Sequence, residues 1–457
     1  MNLQEAKHIF FIGVAGTGMS ALAQYCFGIG KKVSGSDRYF QQNNFTETQI
    51  LLSNFGIQCF PQDASGVNAD IDLIVISTAV EESNIEIQKA KSLHIPIIKR
   101  SELLQYISQT KKTIAVGGTS GKSTTTAMIF DILEFAGLEP SIISGAGLIR
   151  LQEKKLIGNA FIGKGDWLVI EADESDGSIV NYTPEIGLLL NIDKDHKEID
   201  ELFEIFETFK NNSKYFIVNA NANATSTKQF TQNNNQNFST IDKSVGFVAS
   251  NFIQDGFFMH FKVNEVDFKM QSIGEHNMEN SLAAVAVASH CGVDLQVASK
   301  ALEYYKGIYR RNQILGKKNG VTVIDDYAHN PAKCAAAVKG VQPLTNKVVA
   351  WFQPHGYGPT KFLRNDFVEE IAKALRPEDE IWMSEIFYAG GTATKDISAN
   401  DLIQDLKNKN CNAFFVEDRK DLIENIKPHL QDNCVLLLMG ARDPSLADFA
   451  KDIFNKL

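Results

Sequence analysis

The sequence predicts an α/β protein of three domains, each built on a mostly parallel, doubly wound sheet. Three observations carry this expectation. Short apolar runs alternate with stretches of helical periodicity along the whole chain, as in "IFFIGV" followed by "MSALAQYCFGIG". Glycine-rich turns stand between such a run and the next helix, at residues 13–18 and 117–121. The length of 457 residues corresponds to about three domains of ordinary size.

Composition narrows the function. With 44% hydrophobic and 22% charged residues the chain is globular with ample core. A formal net charge of −10 argues against a nucleic-acid groove as the main function, because phosphate backbones require clustered Lys and Arg. It still leaves room for one nucleotide in a locally basic pocket. The cysteines (Cys26, Cys59, Cys291, Cys334, Cys411, Cys434) are scattered with no Cys-x-x-Cys pair, so reduced thiols are expected rather than disulfides or zinc ligands. The start "MNLQEAKHIF" lacks a basic stretch followed by an apolar one, and no apolar run approaches a membrane span. The expectation is a cytoplasmic protein without a membrane partner.

The first domain is expected over residues 1–108. After the buried strand "IFFIGV", Gly13, Gly16 and Gly18 follow G-x-x-G-x-G, a variant of the dinucleotide fingerprint that also serves as a simple tight turn. "KKVSGSD" gives a second strand with Asp37 at its end, where a ribose-binding acid would fall. "DLIVISTAV" and "IPIIKRSE" extend a parallel sheet.

The second domain is expected over 109–312. "TIAV", "GGTSGKSTTT" and the helical run after it form a strand, a glycine loop and a helix. Backbone N–H groups and a helix N-terminus can face an anion there, while Lys122 adds charge and the Ser123 hydroxyl can hold Mg²⁺. A standard P-loop would carry glycine at Val116, so this loop is a shorter form. "DWLVIEADES" and "IGLLLNIDKDH" are apolar and then abruptly acidic. Isolated buried charges are costly, and such strand ends make sense beside Mg²⁺ and ATP. Residues 219–238 read as an exposed connection, and "VGFVASNFIQDGFFMHFKVNEVDFKMQS" as antiparallel hairpins at the sheet's edge with a turn at "QDG". "HNMENSLAAVAVASHCG" is a helix that opens with polar side chains. The third domain, 313–457, carries "VTVIDDY", "KVVAWFQP", "DEIWMSE", "NAFFVED" and "CVLLLMG" in another doubly wound pattern.

Taken together and in order, "FFIGVAGTGMSALA", "SGSD", "GGTSGKSTTT", "IEADESDGS", "NIDKDH", "GEHNMENSLAA", "GIYRRNQILG", "DDYAHNP" and "FQPHGY" resemble the Mur ligases of peptidoglycan synthesis over nearly the whole chain. The alanine-adding and murein-tripeptide recycling members look most alike. The resemblance implies a UDP-binding domain, an ATPase domain and a C-terminal Rossmann-like domain that closes over the site. It also implies ATP-dependent amide formation through an acyl phosphate, with ATP and Mg²⁺ as cofactors. UDP-N-acetylmuramate and an amino acid, L-alanine favoured, would be the partners, in a monomer or homodimer.

Carried over residue by residue, the resemblance assigns Gly118, Thr119, Ser120, Gly121, Lys122, Ser123 and Thr124 to the phosphates, and His276, Asn277 and Asn280 to the adenine region. The plain alternative for the last three is a helix cap. Ser123, Glu171 and His196 match the metal ligands, with Asp173 and Glu174 as alternative acids. Arg310, Arg311 and Asp326 would meet the nucleotide, with Lys122, Glu171, His196, Arg311 and His329 catalytic. The UDP-sugar falls to Gly13, Gly16, Thr17, Gly18, Met19, Ser36, Asp37 and Ser77, and the amino acid to Tyr327, His329, His355, Lys361 and Arg364. Gly356 and Pro359 stand where alanine-adding members carry arginines, and "MGARDP" also departs from them. Competing expectations are ligation of another amino acid or a murein peptide, a UDP-sugar-binding protein without ligase activity, and a dinucleotide-dependent oxidoreductase.

Overall fold

The computed structural model describes residues 5–41, 45–77, 80–192, 198–221, 227, 230–231, 235–388 and 394–457. The first sheet contains β1 (His8–Ile12), β2 (Lys32–Asp37), β3 (Gln58–Pro61), β4 (Leu73–Ile76) and β5 (Ile97–Lys99), all parallel in the order β3-β2-β1-β4-β5. "HIFFI" is buried along its length because helices cover both faces of a parallel sheet. The strand order reverses between β1 and β4, which places a ligand crevice at the end of β1, where the first glycine loop begins.

The second sheet contains β6 (Lys112–Gly117), β7 (Ser141–Ile143), β8 (Ala160–Phe161), β9 (Trp167–Glu171), β10 (Ile186–Leu189) and β11 (Tyr215–Val218) in the order β11-β10-β6-β9-β7-β8. Only the edge pair β7–β8 is antiparallel. The expected hairpins do not extend this sheet. β12 (Phe238–Ser239), β13 (Phe247–Asp255), β14 (Phe258–Val263) and β15 (Val266–Gln271) form a sheet of their own. The reason is visible in their burial: β14 and β15 bury alternate side chains only, whereas strands of the main sheet are covered on both faces. Their buried side meets helices, with Ser281 Oγ 3.0 Å from Met270 Sδ and Ser299 Oγ donating to the Asp267 carbonyl at 2.7 Å. Gly256 at φ +54° makes the turn expected at "QDG".

The last sheet runs β16 (Gln313–Lys318), β17 (Val321–Asp326), β21 (Val435–Gly440), β18 (Val348–Gln353), β19 (Glu380–Met383) and β20 (Asn412–Phe415). All pairs are parallel except β16–β17, an antiparallel edge that the polar "NQILGKK" did not announce. Alternate residues serve separate cores on its two faces: Ala350, Phe352, Leu437 and Met439 on one, Val349, Trp351, Leu436 and Leu438 on the other.

The chain divides into two compact units. One contains Met1–Phe252, His260–Gln271 and Glu275–Ile308; the other contains Ile253–Met259, Ser272–Gly274 and Tyr309–Leu457. The first two sheets share the first unit, and one continuous apolar cluster runs through both. A buried polar network joins them as well. Gln24 Nε2 donates to Asn159 Oδ1 at 2.8 Å, and Asn159 Nδ2 reaches the Thr17 carbonyl at 2.6 Å and Ser20 Oγ at 2.9 Å. All six cysteines are unpaired. Among the described residues, no helix is long and apolar enough to cross a membrane.

Candidate active site

β6 delivers the chain into the loop Gly118–Gly121, and the helix Lys122–Phe135 leaves it. Gly118 and Gly121 adopt φ +131° and +83°, conformations that favour glycine. A Cβ at Gly121 would also lie 2.4 Å from Asn280 Oδ1, so the helix Glu275–His290 approaches this turn too closely for a side chain. Asn191, beyond the end of β10, clamps the loop. Its Oδ1 accepts from Thr119 Oγ1 and from the Ser120 N–H, both at 2.9 Å. Asn191 was not singled out in the sequence; the signal was its place as the first polar residue after a buried run.

The neighbouring acids separate by partner. Glu171, at the end of β9, accepts from Ser123 Oγ at 2.9 Å, Ser144 Oγ at 2.8 Å and the Gly145 N–H at 2.6 Å. Glu174 is buried and pairs with Lys122 Nζ at 2.7 Å, while the same ammonium donates to the Gly118 carbonyl at 2.7 Å. Asp173 turns back to the N–H and hydroxyl of Ser175. Burial opposes its ionisation, but Lys122 and the Ser175 hydrogen bonds hold its carboxyl below the usual range. The acid beside the Ser123 hydroxyl is therefore Glu171. These two hard oxygen donors suit Mg²⁺, which takes one or two protein ligands and completes its shell with water and phosphate. His196 lies outside the described residues. Among the described residues, no group of three or more His, Cys, Asp or Glu could hold a metal by itself.

Asn277 and Asn280 are buried on their helix and His276 is exposed at its start. Asn280 Oδ1 accepts from Thr125 Oγ1 at 3.3 Å, bracing the helix that follows the loop. Thr124 is half-buried one residue earlier.

In the first sheet, the N–H groups of Gly13 and Val14 donate to the Ser36 carbonyl at 2.8 and 3.0 Å, folding the glycine loop onto the end of β2. Gly13 needs its φ of +84° for this turn, and its Cα faces Ser77. Gly16 precedes the helix Thr17–Gly28, in which Met19 is core. Gly18 lies against the Arg100 side chain, which pairs with Asp176 at 3.2 Å. Asp37 does not present itself as a free ribose-binding acid. It is buried, and its oxygens accept from the Ala15 and Tyr39 N–H groups, both at 3.0 Å, so it braces the loop. Behind Ser36 stands a residue not anticipated from sequence. Glu86 is fully buried, accepts from Ser36 Oγ at 2.5 Å, and is pushed by burial to a pKa of about 7.

In the second unit the arginine pair divides. Arg310 is buried at φ +56°, with Nε on both Asp325 oxygens (3.1 and 2.9 Å) and Nη2 on the Gly440 carbonyl at 2.9 Å. Its guanidinium is spent inside the sheet rather than offered to a nucleotide. Arg311 is exposed, with its guanidinium 5.3 Å from the Tyr327 ring centre. Asp326 is also committed, accepting from the Asn312 and Ala328 N–H groups. His329 Nδ1 donates to the Tyr327 carbonyl at 2.9 Å, which leaves Nε2 as an acceptor, and burial lowers its pKa. His355 has its ring 5.8 Å from that of His329, and burial, with Arg442 and the competing protonation of His329 as smaller causes, lowers its pKa to about 4. Lys361 pairs with Asp396, and Arg364 with Asp405 at 2.7 Å. Neither stands as an uncommitted replacement for the missing arginines.

Residues 8–112 match the Mur ligase family catalytic domain, residues 116–288 the Mur ligase middle domain, and residues 310–442 the glutamate ligase domain of Mur ligases. The chain is 33% identical to the UDP-N-acetylmuramate–L-alanine ligase of Syntrophomonas wolfei subsp. wolfei, over 97% of this chain and 96% of that one. It is 35% identical to the enzyme of the same name from Dictyoglomus turgidum, over 95% and 94%. Among solved structures it is similar to the UDP-N-acetylmuramate–alanine ligase MurC of Thermotoga maritima, with a TM-score of 0.81 and 27% identity over 99% of each chain. A murein peptide ligase from Psychrobacter arcticus shares the fold at a TM-score of 0.68 and 20% identity, over 98% of each chain.

Proposed function

Because this chain belongs to the Mur ligase family, we propose that it joins an amino acid, L-alanine first, to the carboxylate of UDP-N-acetylmuramate at the expense of ATP. The observation that carries the reading is the arrangement of Lys122, Ser123 and Glu171 around a glycine turn. Binding a UDP-sugar alone uses none of them, and hydride transfer has no need of a lysine-serine phosphate loop.

In this reading the loop amides and Lys122 hold the ATP phosphates, so Lys122 exchanges its contact with Glu174 for the nucleotide. Ser123 and Glu171 would hold Mg²⁺, which neutralises phosphate charge when bound. The sugar carboxylate attacks the γ-phosphoryl group, breaking its bond to the β-phosphate and releasing ADP, to give an acyl phosphate; the amine of the amino acid then attacks the acyl carbon and displaces inorganic phosphate as the amide bond forms. The incoming ammonium must lose a proton first. His329 is neutral near pH 7 because burial lowers its pKa, and its Nε2 is the acceptor. Arg311, exposed in its own unit, keeps a guanidinium available to an anionic group, the role that the family resemblance gives it. The domain division 1–108, 109–312 and 313–457, a cytoplasmic location and a monomeric or homodimeric state belong to the same proposal.

One observation favours a second reading. Gly356 and Pro359 offer no cation to an amino-acid carboxylate, which suits a peptide whose N-terminal residue lacks a free one. The test is phosphate release with ATP, UDP-N-acetylmuramate and each amino acid or murein peptide in turn. Release dependent on one amino acid is expected, with Lys122→Ala inactive yet still binding the UDP-sugar. Release without any amine acceptor, or near wild-type turnover by Lys122→Ala, would overturn the assignment.

A further inference from the structure

β17, β21 and β18 end side by side, with Asp326 opposite Met439 and Gly440 opposite Gln353. The loops leaving these ends carry His329, Arg442 and His355. A ligand crevice of an open parallel sheet lies outside such carboxyl ends, and here β21 is inserted between two strands that precede it in sequence.

Arg442 is unlike its charged neighbours. Its backbone is left-handed at φ +68°, a conformation that costs an arginine energy and would suit glycine. It is exposed, and it makes no ion pair or side-chain hydrogen bond among the described residues. The carboxylates nearby are engaged elsewhere: Asp443 with Arg419 and Ser445, and Asp326 with backbone N–H groups. Its charge reaches both imidazoles and helps to keep them neutral. Among the described residues Arg442 is thus a guanidinium without a compensating carboxylate, beside two uncharged rings, a setting for one anion. The loop after β18 meanwhile offers Gly356 at φ +72° and Pro359, and commits Lys361 and Arg364 to aspartates.

We propose that Arg442 binds the α-carboxylate of the incoming free amino acid, supplying from the end of β21 the cation that Gly356 and Pro359 withhold. This rests on His329 receiving the amine's proton, because in an α-amino acid the carboxylate sits one carbon from that amine. The planar fork of a guanidinium can hold both carboxylate oxygens, which a lysine cannot do. Arg442 would then select a free amino acid over the N-terminal residue of a peptide, whose carboxyl is an amide.

The test uses Arg442→Gly, which relaxes the left-handed backbone and is expected to fold, and Arg442→Lys. Steady-state kinetics are measured with L-alanine and with L-alaninamide, which keeps the amine and lacks the carboxylate. For Arg442→Gly the KM for L-alanine should rise by roughly 10- to 100-fold, as expected for one lost charge-assisted contact. The KM values for ATP and UDP-N-acetylmuramate should stay within about twofold, and Arg442→Lys should recover only part of the loss. L-Alaninamide should be a poor acceptor for the wild type and no worse for Arg442→Gly. An unchanged KM for L-alanine, a rise confined to ATP, or an equal rise for L-alaninamide would each overturn the assignment. A wild type that ligates only peptides overturns it while sparing the ligase reading; a wild type that ligates nothing overturns both.

Discussion

Glu86 shows what a single residue can hide in a sequence. In "EESNIEIQKA" it reads as one more helix-surface acid, yet the fold buries it completely against Ser36. Burial disfavours the carboxylate, so its pKa of about 7 lies above the unfolded value of about 4.3. The sign follows from proton linkage: the folded state binds the extra proton between these values, so stability is lost as pH rises through that window. Asp63 and Asp37 press in the same direction. Glu86→Gln keeps an acceptor for Ser36 without the charge. It should melt at a higher temperature than the wild type at pH 8, with the difference closing below about pH 4. Thermal unfolding across pH measures this, and a constant offset at all pH values would refute the linkage.

At the scale of elements, the nucleotide loop depends on the helix Glu275–His290 as much as on its own glycines. Asn280 fills the space where a side chain at position 121 would stand and also accepts from Thr125. Gly121→Ala would combine a left-handed alanine with displacement of a buried amide, a loss of about 1–3 kcal/mol. Denaturant unfolding and ATP titration should show both lower stability and weaker nucleotide binding. Unchanged ATP affinity would mean that the loop amides are not the phosphate ligands.

The first unit holds two sheets together through apolar packing and through one buried asparagine. Asn159 joins Gln24, Ser20 and the Thr17 carbonyl, at the start of the helix that follows the first glycine loop. Asn159→Ala would leave the buried Gln24 amide without that acceptor, at a cost of about 1–3 kcal/mol. The melting temperature should fall, and UDP-N-acetylmuramate affinity should weaken with it, because the loop's helix loses its tie. Calorimetric titration separates the two effects. A lower melting temperature with unaltered sugar affinity would confine Asn159 to stability.

The sequence by itself determined the long buried strands at the centre of each sheet, the two glycine loops and the Lys-Ser pair at a helix start, because each is written in consecutive residues through local periodicity and backbone conformation, whereas short or polar edge strands such as β8 and β16 carry no such pattern. It could not divide labour among acids that crowd one short stretch. Glu171 belongs to Ser123 and Glu174 to Lys122 only because the turn after β9 aims successive side chains in different directions. Nor could it tell that Arg310 is sealed against Asp325 while Arg311 is exposed, or that Asp37 braces a loop. Asn191, Glu86 and Arg442 gained their places from strands distant in the chain. The half-buried hairpins left the main sheet for one of their own, since a strand with one apolar face cannot be covered on both. Local pattern fixes what an element is, whereas tertiary packing alone decides which charged groups lose water and which partners repay that loss.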